Sequence, residues 1–384
     1  MKVLHLASFN GNIGDNANHS GFRPWLEKIA GRKMDWVNLE IREYYWKERA
    51  FDQTFVDLAN EFELIIVGGG NYFELWVDKS HTGTSIDIPI DLFRKIKTPI
   101  FFNALGCDAG QGVTENSVGR FNKFLEFLVG SPQYLVTVRN DGAKKTLRKY
   151  VPASIAEKVA TIPDGGFFLE YEDVNVSYLD RSIQRIGINL ACDMPEVRFR
   201  NFGGSGYDGF CDEFAKTLIA VSEENREVHF IFFPHIHSDL KIISDIVSKL
   251  GDRLRRTRMS TAPYVTGSEG ARYMFGLYRQ CSLILGMRFH ANVCALGMGI
   301  ETIGLNNYTQ IEFLYEELGY AERCFGVRSP GFSIALRKLI LETLNGKGAT
   351  GGAARVMEEM HLSRKSFEPA LSDWLNANSL GKDS

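Results

Sequence analysis

The chain has no excess of positive charge: its 384 residues carry 44 Lys and Arg against 47 Asp and Glu, a net charge of -3. That balance offers no basic field to a nucleic-acid backbone or an anionic membrane, so any anion has to be caught locally by a few residues. Long apolar runs are missing too. No stretch approaches the roughly 20 apolar residues that cross a bilayer, which leaves peripheral association as the expected route to a membrane. The start, Met1 to Asn12, has too short an apolar run and no small-residue cleavage site for a signal peptide. Cys-x-x-Cys pairs are lacking, and the cysteines at 107, 192, 211, 281, 294 and 324 read as reduced, mostly buried thiols of a cytoplasmic protein. Neither a short-period repeat nor a long low-complexity segment is present.

What is present is a steady alternation. Lys2 to Phe9, Asp35 to Ile41, Glu63 to Gly68, Pro99 to Leu105, Tyr134 to Arg139 and Val159 to Pro163 read as strands. Several are apolar throughout, as in a parallel sheet covered on both faces. Helical patterns fall between most of them, including Ser117 to Val129 and Gly142 to Tyr150. The polar stretch Glu170 to Arg185 reads as a connector, after which the alternation restarts. It runs through strands at Arg185 to Leu190 and Val228 to Phe233 and helices near 209–224, 239–250, 270–280 and 332–344. A chain of this length exceeds what one core usually serves. The pattern predicts an α/β protein of two Rossmann-like domains facing a central cleft, 1–175 and 183–345, with 346–384 as a helical tail packing across them.

The richest segment runs from Cys281 to Gly319, where two short apolar strands flank Arg288 and His290 at a strand-to-helix joint. A cation beside the exposed N–H groups of a helix start makes an anion site, and an imidazole two residues on moves protons near neutral pH. The other reading is a surface arginine with a hydrogen-bonded core histidine. Asn10 to Asp15 follows the first strand, and its two glycines permit a tight turn with Asn12 and Gly14 against a ligand. The full dinucleotide fingerprint is absent there, and a simple turn capped by Asp15 is the alternative. Gly68, Gly69, Gly70 and Asn71 end another strand, either for close approach of a substrate or as a tight turn; Phe102 to Gly106 ends the next in a similar way. Arg139 at a strand end offers a two-pronged donor for carboxylate or phosphate, or an ion pair with Asp141 or Asp164. His235, His237 and Asp239 lack the further ligands of a metal site, so no metal is expected. Asp239 is expected to cap the next helix, with His235 facing the cleft and His237 pointing elsewhere. Aromatics are dense between Trp36 and Trp76, mostly as core, with one or two free to stack on a sugar ring.

Taken in order, these pieces resemble the polysaccharide pyruvyl transferase family over about residues 1 to 345. Gly11 to Asp15 matches the family's Gly-Asn-x-Gly-Asp opening, Gly68 to Gly70 its glycine-rich strand end, and Val138-Arg139-Asn140 its Val-Arg-Asp segment. Its Ser-Arg-Leu-His-Gly signature, alanine-rich helix, Pro-Val-Ile strand and Tyr-x-x-Lys step align with Met287-Arg288-Phe289-His290-Ala291 through Tyr308-Thr309-Gln310-Ile311. Met287, Ala291, Asn140, Asn16 and Glu301-Thr302 depart from the common residues. The resemblance implies a fold similar to B-type glycosyltransferases. It implies transfer of the pyruvyl unit of phosphoenolpyruvate onto two hydroxyls of a lipid-linked saccharide, making a cyclic ketal with no cofactor. Arg288 and Arg139 are then expected on the donor's anionic groups, with His290 stabilising the phosphate or supplying the proton and Asp15 or Asp239 as base. A glycosyltransferase using a nucleotide sugar, or a non-catalytic glycan-binding homologue, is the alternative on the same fold.

Overall fold

The computed structural model describes residues 1–174, 183–346 and 351–381. Parts of the expected connector and of the expected Gly-rich joint, 175–182 and 347–350, lie outside the described residues. The chain divides into two units. The first comprises Met1–Asn10, Asn18–Gly165 and the chain from His361 on, and the second Gly11–Ala17 and Gly166–Met360. The partition therefore differs from a simple cut near residue 175. The first turn of the helix Ile13–Ala30 is counted with the second unit, and the helix Gly352–Ala377 contributes to both.

In the first unit the strands are β1 (Lys2–Ala7), β2 (Asp35–Glu40), β3 (Leu64–Gly68), β4 (Phe73–Glu74), β5 (Ile100–Leu105), β6 (Cys107–Asp108), β7 (Tyr134–Arg139) and β8 (Ala160–Ile162). Six of them form one parallel sheet in the order β2-β1-β3-β5-β7-β8, while β4 and β6 pair apart from it. β3 and β5 are buried at every position, as continuous apolar runs with both faces covered should be. The helix predicted from Ser117 starts at Glu115, because Thr114 and Ser117 form a capping box that satisfies the first-turn N–H groups. β5 ends in a bulge where Ala104 takes a φ of 46°, and its N–H donates to the Thr137 hydroxyl at 2.8 Å.

The second unit has β9 (Gln184–Asn189), β10 (Val228–Phe232), β11 (Met259–Thr261), β12 (Leu283–Gly286), β13 (Thr302–Asn306) and β14 (Cys324–Gly326). They form a parallel sheet ordered β11-β10-β9-β12-β13-β14. In chain order this is the 3-2-1-4-5-6 arrangement of the Rossmann fold, whose ligands bind beyond the strand C-termini where the order reverses, here between β9 and β12. The sequence pattern missed β11 and β14, which are outer strands of three residues each, too short to show a period. Among the described residues no helix is long and apolar enough to cross a membrane, and all six cysteines are free.

Candidate functional site

Arg288 lies just past the C-terminal end of β12 and starts the helix Phe289–Gly297, so the geometry of the reversal point places it. Asn189, the last residue of β9, accepts the Arg288 N–H at 3.0 Å and donates to the Phe233 carbonyl at 2.9 Å, tying three strand ends together. The guanidinium meets two carboxylates. Nε donates to Asp239 Oδ2 at 2.8 Å and Nη2 to Asp193 Oδ1 at 2.7 Å, with a further Nη2 bond to Asp239 Oδ1. Burial disfavours the charge on Arg288, but Asp239 and Asp193 outweigh it and raise its pKa above the usual arginine range. Among the described residues Nη1 has no partner, so this edge is the one left to offer.

Asp193 is shared. Its other oxygen accepts from Arg198 Nη2 at 3.2 Å, and Arg198 Nη1 donates to Asn307 Oδ1 at 3.0 Å. Burial pushes the Asp193 carboxyl up, yet Arg288 and Arg198 more than reverse this and hold it below its ordinary value. The result is a chain of alternating charge, Arg198, Asp193, Arg288, Asp239, across the ends of β9, β10 and β12. Sequence reasoning missed Asp193 and Arg198. The available signal was Asp193 just past the apolar run that restarts the alternation, followed by Pro195, a residue favoured at a helix start.

Asp239 was expected to cap its helix. It instead occupies the first helical position, with Ser238 as the N-cap residue, and its Oδ2 accepts the N–H groups of His235 at 2.9 Å and Ile236 at 3.2 Å. It is fully buried beneath Arg288, which removes it as a base for an acceptor hydroxyl. His235 does not face a cleft. Its side chain is fully buried among Phe275 and Tyr278, with Nε2 2.8 Å from the Tyr278 hydroxyl. Burial first, then the nearby Arg288 and His290, lower its pKa well below the usual imidazole range, so it stays neutral. His237 packs edge-on against Tyr264, away from His235.

His290 and Asp15 come together within the second unit, with Nδ1 3.7 Å from Asp15 Oδ1 and both side chains about nine-tenths buried. The helix that carries Asp15 begins with Asn12, whose Oδ1 accepts the Gly14 N–H at 3.0 Å and whose Nδ2 donates to Asp15 Oδ1 at 3.3 Å. Asn12 thus does the capping expected of Asp15, which leaves the Asp15 carboxylate turned toward the imidazole. Gly14 is what permits this approach: a Cβ there would sit 2.5 Å from His290 Cβ.

In the first unit Arg139, at the end of β7, is almost fully buried. Both aspartates named in the alternative reading take part, since Nε donates to Asp141 Oδ2 at 2.6 Å and Nη1 lies 3.6 Å from Asp164 Oδ2. Asn140 supports the cluster by accepting the Asp164 N–H at 3.3 Å. The glycines after β3 pack against side chains of their own unit. Gly69, with a φ of 88°, lies against His19, and a Cβ on Gly70 would come 2.4 Å from the Tyr72 ring. Asn71 donates from Nδ2 to Asp108 at 3.3 Å. Among the described residues no three His, Cys, Asp or Glu side chains form a group able to hold a metal ion.

No curated protein matches the sequence. Among solved structures, MnaA of S. aureus with UDP has a TM-score of 0.57 at 10% identity, covering 100% of this chain and 99% of its own. Anabaena HepE in complex with UDP and glucose has a TM-score of 0.52 at 11% identity, covering 99% of each chain. A glycosyltransferase from Rickettsia africae has a TM-score of 0.51 at 9% identity, covering 99% of this chain and 97% of its own. At such identities the likeness is one of fold, the two Rossmann-like domains of the B-type glycosyltransferases and epimerases. The family model for polysaccharide pyruvyl transferase matches residues 9–308, which takes in both the His290–Asp15 pair and the Arg288 network. The chain belongs to the polysaccharide pyruvyl transferase family.

Proposed function

We propose that this transferase moves the pyruvyl group of phosphoenolpyruvate onto two hydroxyls of a saccharide, carried on a lipid at the cytoplasmic face of a membrane. The observation that carries the reading is the His290–Asp15 pair within the matched region. Asp15 faces the Nδ1 side of the imidazole, and Nε2, which is buried, is the nitrogen assigned to the proton. In the first step a sugar hydroxyl oxygen bonds to C2 of the donor, its proton is taken up, and protonation of C3 turns the methylene into a methyl group. His290 supplies that C3 proton, a role that typically contributes about 100- to 10,000-fold. A second hydroxyl then bonds to C2 as the C2–O bond to phosphate breaks, and its proton leaves with the phosphate, which closes the ketal and releases inorganic phosphate. Asp15 is the better placed of the two candidate bases, because Asp239 is sealed under Arg288.

The anionic groups of the donor are assigned to Arg288 through Nη1 and to the start of the helix Phe289–Gly297; Arg139, closed in by Asp141 and Asp164, takes no part in that role. Each arginine is already compensated by aspartates, so the site gains its anion affinity from geometry and the helix start more than from net charge. Arg288→Ala is for the same reason a poor probe of chemistry, since it strands Asp239 and Asp193 and unsettles the fold. His290→Ala tests the reading directly. Phosphate release from phosphoenolpyruvate in the presence of a saccharide acceptor should fall by about 100-fold or more with thermal unfolding unchanged. Full activity in this variant, or turnover of a nucleotide sugar in place of phosphoenolpyruvate, would overturn it.

A further inference from the structure

A pocket of about 530 Å³ lies wholly within the first unit, lined by residues between Tyr44 and Pro89. Its volume falls in the range of about 300 to 1,000 Å³ typical of small-molecule sites. None of its lining belongs to the candidate site described above. One wall is aromatic and rigid. Tyr44 stacks on Phe51 with ring centroids 4.0 Å apart and planes 14° from parallel, and Phe51 in turn meets Phe55 edge-on at 5.0 Å. Tyr45 extends this wall toward solvent at 39% exposure.

The opposite side is polar and preset. Glu74, in β4, accepts a hydrogen bond from the Ser85 hydroxyl. The loop bearing Ser85 is braced by a ladder of hydroxyls, Ser80 to Thr82 at 3.1 Å and Thr82 to Thr84 at 2.9 Å, with Thr82 also donating to the Ile86 carbonyl at 2.6 Å. His81 and Asp87 pair at 2.8 Å on the rim. Burial, with Asp108 adding to it, pushes the Glu74 carboxyl up to about 7, so near neutrality it is partly protonated and both donates and accepts. Arg49 is neutralised by Glu43, and Asp87 pairs with His81 and faces the charge of Lys47, so no strong net charge of either sign remains.

A flat apolar wall facing hydroxyls, a carboxyl and an imidazole suits a ring with C–H faces and a rim of hydroxyls. It does not suit a nucleotide, whose phosphates need an uncompensated cationic anchor or the start of a long helix. We propose that this pocket seats an uncharged pyranose, a hexose or N-acetylhexosamine, against Tyr45 with its hydroxyls on Glu74, Ser85 and His81. The saccharide class rests on the transferase reading above; the pocket is then the seat of an acceptor sugar residue, reached by free or lipid-linked glycan alike.

The experiment separates binding from transfer. Saturation-transfer NMR on the full chain, with methyl glycosides of glucose and N-acetylglucosamine and with free glucuronate, reads contact with ring protons. The uncharged glycosides should bind, Tyr45→Ala should weaken them about tenfold without changing thermal unfolding, and Glu74→Gln should reduce the variation of affinity between pH of about 6 and about 8. Absence of glycoside binding to the wild-type chain, unchanged binding in both variants, or preference for glucuronate would overturn the proposal. Pyruvate addition is scored by mass on the same variants with free and prenyl-diphosphate-linked glycan. Loss of glycoside binding in Tyr45→Ala without any pyruvate addition by wild type would uphold the pocket and defeat the transfer reading. Pyruvate addition at the wild-type rate with unchanged binding would do the reverse.

Discussion

Two arginines at the ends of parallel strands, one in each unit, are held in nearly the same way and differ in how tightly they are closed. Arg139 ends β7 and is gripped by Asp141 and Asp164, whose side chains are 2% and 0% exposed. Arg288 follows β12 and is gripped by Asp239, also at 0%, and by Asp193, which is 30% exposed and divides itself between Arg288 and Arg198. The first clamp is a closed structural unit. The second has an outer carboxylate that water reaches and a second arginine behind it, placed where the strand order of a Rossmann sheet reverses. The same local motif therefore ends as a buried brace in one unit and as the floor of an open rim in the other.

Removing the cations should show the largest effects. Arg139→Ala takes the guanidinium away from two buried carboxylates and should cost about 3–5 kcal/mol in urea unfolding, with Arg288→Ala near the lower end because Asp193 can hydrate. A loss below about 1 kcal/mol in Arg139→Ala would show that the first clamp is not closed. Removing one negative charge comes next. Asp164→Asn should cost about 2–3 kcal/mol and Asp193→Asn less than about 1 kcal/mol, and equal costs would erase the contrast between the two clamps.

Glu74 sharpens the comparison as a partly buried carboxyl with no arginine beside it, and its pKa moves the other way, to about 7. A folded-state pKa above the unfolded one means that the folded chain binds the proton more tightly. Stability from this group is then full below the unfolded value near 4.5 and is lost as pH rises toward 7. Glu74→Gln should accordingly stabilise the protein by about 1–2 kcal/mol at about pH 8 and by nothing measurable at about pH 4, read by thermal unfolding at the two pH values. Asp193 has the opposite sign and the smallest effect. Its lowered folded-state pKa adds stability above the unfolded value, lost as pH falls through the folded one. The acid limb of unfolding should be shallower in Asp193→Asn, and an identical limb would mean that the ion pairs to Arg288 and Arg198 carry no weight.

Much of the architecture was open to inspection in the linear chain. β7 has the predicted bounds, Tyr134 to Arg139, because an apolar run of that kind has one way to sit in a covered parallel sheet. The joint at Arg288 and His290 was legible for a similar reason, since a strand, a cation and a helix start are neighbours in sequence. The roles of Asp239 and His235 were misjudged. Each sits beside a helix start, where local rules suggest capping or exposure, but packing turned Asp239 back onto its own loop and buried His235 beneath Tyr278. Nothing adjacent in sequence carries that information.

The order of strands and helices, the Gly14 that lets an imidazole come close, and the arginine at each strand end were determined by the sequence alone, through patterns a few residues long. Which carboxylates close on those arginines was decided by the tertiary structure. Asp193, Asp239 and Arg288 are 46 and 49 residues apart along the chain, and only the parallel order β10-β9-β12 brings their strand ends to one edge. Side-chain partners across such distances are chosen by topology, because a parallel crossover stacks C-termini together whatever lies between them.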